Sequence, residues 1–90
     1  MQPETKFQIG DEIFVAQNKE LLDRYDFLKT SVFLIHAVIF LNQSWHYLCS
    51  VKEIVFNQSL NKFETGNTFD VATIAIAREG MFEKFSQVQE

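Results

Sequence analysis

The feature that most constrains this chain is a run of 22 residues without a formal charge, Thr30 to Val51, broken at its centre by Asn42-Gln43-Ser44. A membrane-spanning helix needs about 20 predominantly apolar residues. Here Asn42, Gln43, Ser44 and His46 would lie near the middle of the bilayer, where polar groups are costly. Val32 to Leu41 and Trp45 to Phe56 are instead rich in β-branched and aromatic residues, which favour strands. Asn and Ser favour turns because their side chains bond to nearby backbone. The run therefore reads as a β-hairpin at the centre of the core, and no membrane span is expected.

A three-residue loop at Asn42-Gln43-Ser44 sets Leu41 opposite Trp45, Ile39 opposite Tyr47, Ala37 opposite Cys49 and Ile35 opposite Val51, all on one apolar side. The other side carries Phe40 with His46, Val38 with Leu48, His36 with Ser50 and Leu34 with Lys52. A slip of one residue scrambles this segregation, so the pattern favours that register. The sequence Phe40-Leu41-Asn42-Gln43-Ser44 is echoed by Phe56-Asn57-Gln58-Ser59, which also closes a β-branched run. A second turn there predicts a third strand near Lys62 to Thr65 and a meander over 32–65.

Residues 1–5 read as a disordered tail, and Phe7 to Val15 as a strand with a bulge or tight bend at Gly10-Asp11. Asn18 caps a predicted helix over 18–29, with Leu21, Leu22, Tyr25 and Leu28 on one face. Beyond a break at Gly66-Asn67-Thr68, residues Val71, Ile74, Ala75, Met81, Phe82, Phe85 and Val88 fall within one arc at helical spacing. That arc predicts a C-terminal helix over 70–88. Arg78 inside the arc, Ile76 outside it and Gly80 at mid-span favour a competing arrangement, a strand from Phe69 to Ala77 and a short helix from Glu79. The fold expected is a single α+β domain over 1–90, with a small bent antiparallel sheet and two helices.

Composition narrows function more by exclusion than by assignment. The chain is 47% apolar with ten Phe, so 90 residues can close a core without staples. Net charge is −4, and no two of the eight Lys and Arg are adjacent, which argues against a nucleic-acid partner. The single cysteine, Cys49, forms no intrachain disulfide, and the first residues lack the layout of a secretory signal, so a cytoplasmic location is expected.

No catalytic constellation stands out. His36 and His46 share a face of the expected hairpin but lie roughly 13 Å apart along it, too far to share a metal. Cys49 falls on the apolar side, away from both histidines, where a thiol acts as a small hydrophobe. The three glycines, at 10, 66 and 80, form no phosphate loop, and the acidic residues form no supported pair. No catalytic, cofactor-binding or metal-ligating residue is assigned, and an enzyme is not expected. What remains is aromatic wealth. Trp45, His46 and Tyr47 beside the turn, and Phe82 and Phe85 near the C-terminus, are the candidate interaction residues, set against the simpler reading that Trp45 and Tyr47 are core.

The segment Phe7-Gln8-Ile9-Gly10-Asp11-Glu12-Ile13-Phe14-Val15 resembles the opening strand of SH3-like small barrels. The run Ala37-Val38-Ile39-Phe40, turn, Trp45-His46-Tyr47-Leu48 is similar to their central hairpin. The chain departs from that family in lacking a Gly-rich turn at Asn42-Gln43-Ser44 and in its long C-terminal extension. The resemblance implies an SH3-like partial barrel, with the 18–29 helix in place of the first long loop, and a non-catalytic binding or subunit role.

The functional expectation is a protein-interaction module, a small regulator or accessory subunit, presenting an aromatic surface to a protein partner or, as a homodimer, to a second copy. The alternative is a ligand-binding protein or enzyme with an apolar pocket whose polar pair is His36 and Ser50. An exposed His36 removes that alternative.

Overall fold

The computed structural model describes residues 5–15, 19–25 and 30–85. Strand β1 spans Glu12–Val15 and the short helix α1 spans Lys19–Arg24. Three long strands follow: β2 Ser31–Leu41, β3 Ser44–Asn57 and β4 Lys62–Ala75. A 3-10 turn, Ile76–Met81, leads into the short strand β5, Phe82–Lys84. They form one five-stranded sheet in the order β4-β3-β2-β1-β5, antiparallel throughout.

The charge-free run forms the expected hairpin, but with a tighter turn. Leu41 pairs with Ser44, so the loop is Asn42 and Gln43 alone, with φ of 52° and 65°. Two consecutive left-handed residues make the turn whose twist matches that of the strands it joins. The register therefore sits one residue from the expected one near the turn: Phe40 pairs with Trp45, Ile39 with His46 and Val38 with Tyr47. The pairing then shifts between Ile35 and Ala37, so that Ile35 lies opposite Cys49. His36 is the extra residue of this bulge. Ahead of it Ser31, Phe33 and Ile35 are buried, whereas beyond it Val38 packs on the core, because one inserted residue exchanges the faces of the strand.

The fold is mostly β, which corrects the α+β expectation. The helix predicted over 70–88 is absent among the described residues: 70–75 complete β4, 76–81 are the 3-10 turn, and 82–84 are β5. The helical arc was a coincidence of spacing, since Ile74, Phe82 and Phe85 are buried from different elements. The expected third strand near Lys62 to Thr65 exists and continues for 14 residues. Helix α1 lies inside the predicted 18–29 span; Asn18 and residues 26–29 fall outside the described residues, as do 1–4 and 86–88.

Phe7 to Val15 is likewise shorter as a strand than expected. Gly10, at φ 95°, occupies a turn in which the Asp11 N–H donates to the Gln8 carbonyl at 3.0 Å and the Asp11 carboxylate accepts the Gln8 N–H at 2.8 Å. Gly10 N–H also reaches the Ile35 carbonyl at 2.8 Å, docking the turn on β2. A positive φ here calls for glycine.

The main core cluster lies on one face of the sheet; on the other, Val32 is also buried and Phe85 packs on Phe14. Ile13, Val15, Phe33, Ile35, Tyr47, Cys49, Val51, Ile74 and Phe82 meet Phe7 from the N-terminal segment, and Leu22 of α1 with Ile76 and Met81 packs against them. Burying such a side chain contributes about 1.5–3 kcal/mol each, so this cluster rather than local propensity holds the sheet. No helix among the described residues is long and apolar enough to cross a membrane.

Candidate functional site

The structure divides the five candidate interaction residues. Tyr47, Phe82 and Phe85 are interior, and Trp45 and His46 are half-buried near the β2–β3 turn. Phe82 meets Phe33 edge to face at 5.8 Å, and Phe85 meets Phe14 in the same way at 5.8 Å. Tyr47 is closed from solvent, and its hydroxyl accepts the Phe7 N–H and donates to Glu79. Burial, and then the bond to Glu79, raises the Tyr47 pKa above its ordinary value of 10.0.

The aromatic surface is elsewhere. Phe40, 61% exposed, pairs across the first hairpin with Trp45, with their ring centres 5.3 Å apart. At the other end of β3, Phe56 and Phe63 pair at 5.0 Å and are 47% and 50% exposed. Strand β2 begins at Ser31, opposite Glu53, so residues 54–57 of β3 have β4 as their neighbour and extend past β2 as a two-stranded arm. Val55 and Leu60 are exposed on the same arm. Phe40, Phe56 and Phe63 are not among the residues expected from the sequence to form an interaction surface. The repeated Phe before each Asn-Gln turn was the available signal, because it sets an aromatic where a hairpin outruns its sheet.

Side-chain bonds fix the arm. Asn57 donates to the Glu64 carboxylate at 3.2 Å and accepts the Leu60 N–H at 3.2 Å, which ties the loop down. At its base, pairing shifts twice between Val51 and Ile54. The Glu53 carboxylate there accepts the Asn67 N–H at 3.5 Å, and its chain passes so close to Gly66 that a Cβ would stand 2.6 Å from Glu53 Cγ. These bulges interrupt the ladder beside the β4 edge, so that edge does not present a flat, regular row of backbone groups.

His36 and Ser50 do meet, through a hydrogen bond between His36 Nε2 and Ser50 Oγ. The pair is on the exposed side of the bulge and lines no part of the pocket described next. Cys49 is buried in the core, where burial pushes its thiol up to about 12 and leaves it protonated and unreactive. Among the described residues, no group of three or more His, Cys, Asp or Glu could hold a metal ion.

A pocket of about 430 Å³ opens beside the 3-10 turn. Phe33, Ile74, Met81 and Phe82 supply apolar lining, and His46, Thr73 and Arg78 supply polar groups. His46 Nδ1 donates to the Ser44 carbonyl at 3.1 Å, which orients the ring. Compared with known protein families, curated proteins and solved structures, the chain matches none.

Proposed function

We propose that this protein is a non-enzymatic interaction module that works through the aromatic arm, with a second copy of the chain as its first partner. The observation that carries this reading is the Phe56–Phe63 pair, held in register yet half exposed on a ribbon that has no third strand beside it among the described residues. Two strands alone are marginally stable in water, so cover for an apolar face is favoured. A two-fold contact suits the patch, because the same exposed Phe56–Phe63 pair from two copies can cover itself across the axis. The SH3-like resemblance implies a binding role of the same kind. The strand order, with β1 between β2 and β5, supports that reading of the fold.

The test is the double variant Phe56→Ser with Phe63→Ser. Losing one cross-strand aromatic pair costs about 0.5–1.5 kcal/mol beyond its buried area, small beside the core, so the amide spectrum of the core is expected to persist while association in sedimentation velocity is lost. Unchanged association would overturn the reading.

A further inference from the structure

The pocket beside the 3-10 turn carries a second site, independent of the arm. Its volume of about 430 Å³ falls in the range of roughly 300–1,000 Å³ typical of small-molecule sites. The apolar lining cannot easily collapse inward: Phe33, Ile74 and Phe82 belong to the core, and the Phe33 and Phe82 rings are locked at 90° to each other. Arg78 brings a permanent positive charge to this lining and has no carboxylate partner among the described residues. The adjacent Glu79 forms no ion pair with it: its Oε2 accepts the Tyr47 hydroxyl and the Lys6 N–H instead. A guanidinium at the side of an apolar cavity recognises an anionic oxygen pair carried on an apolar body.

We propose that this pocket binds a small apolar carboxylic acid, its carboxylate on Arg78 and its hydrocarbon against Phe33, Ile74, Met81 and Phe82. Thr73 and His46 add polar groups on the same lining. The chemistry is recognition alone and transfers no group. Charge complementarity separates this occupant from a neutral lipid or an amine, which Arg78 does not favour.

Titration of the full chain with decanoate and with decan-1-ol, followed by amide chemical shifts, tests the proposal. Decanoate is expected to shift Ala72, Ile74 and Met81 saturably and to bind at least about tenfold more tightly than the alcohol. Arg78→Gln, an exposed position, brings decanoate down to the level of decanol and leaves decanol unchanged. Ala75→Leu, which fills the pocket from another wall, excludes both. Equal binding of acid and alcohol, an unaffected Arg78→Gln, retained binding in Ala75→Leu, or no saturable shift at all would each overturn the proposal. The Phe56→Ser, Phe63→Ser variant keeps decanoate binding, so failure of the arm and failure of the pocket are read separately.

Discussion

The hydroxyl of Tyr47 donates to the Glu79 carboxylate while accepting the Phe7 N–H at 3.4 Å, so one buried ring in the central strand ties together the N-terminal segment and the 3-10 turn. Glu79 in turn accepts the Lys6 N–H at 3.2 Å. Tyr47→Phe keeps the ring packing but leaves the buried Phe7 N–H without its acceptor. The expected loss is about 1–3 kcal/mol in urea unfolding, with the slope of the transition unchanged.

Alkaline pH should unfold the protein through two buried groups. Cys49 is pushed from 9.0 up to about 12, and Tyr47 is raised above 10.0, so the native state holds both protons more tightly than the unfolded chain. The stability they supply is fully present below about pH 9 and is lost as pH rises from there towards 12. Each group contributes a slope of at most about 1.4 kcal/mol per pH unit. Cys49→Ala lowers stability at neutral pH by leaving a small cavity, but flattens the alkaline slope. Chemical denaturation at several pH values between 8 and 11 measures that slope.

The β2–β3 turn holds Gln43 at φ 65°, a left-handed conformation that costs a side-chain residue about 1 kcal/mol. Gln43→Gly, giving Asn-Gly, is expected to stabilise the protein by roughly 0.5–1 kcal/mol. A rise in melting temperature with an unchanged amide spectrum away from the turn checks this.

Gly66 is required by contact rather than by dihedral. Gly66→Ala places a Cβ against Glu53, whose side chain must swing away and release the Asn67 N–H. A loss of about 1 kcal/mol is expected. In the Glu53→Ala background the same substitution should cost little, and this double-mutant cycle isolates the contact.

The hairpin, both Asn-Gln turns and the burial of Cys49 were legible from the chain, because charge-free β-branched runs and Asn-rich breaks leave few alternatives. The register was not. The apolar and mixed sides favoured a register with a three-residue loop, but Val32 to Leu41 is apolar at nearly every position, so that preference was weak, and the bulge at His36 changes the phase midway. Both ends of strand β4 were legible, as the third strand near Lys62 to Thr65 and as the competing strand from Phe69 to Ala77; their continuity was not, because the edge strand exposes Phe69 and Val71 and so blurs the alternation between them. Of the candidate site, the composition announced aromatic excess but could not say which rings the core takes. Tyr47 goes inside because its hydroxyl finds Glu79, and Phe56 stays outside because β2 ends before reaching it.

Light scattering across a dilution series decides whether the aromatic arm joins two chains. If the arm pairs with a second copy, the mass rises with concentration from the 10.5 kDa of one chain towards twice that value, and a Phe56→Ser, Phe63→Ser variant stays at one chain throughout. A wild-type chain that remains at 10.5 kDa at every concentration would contradict the proposal that the aromatic arm pairs with a second copy.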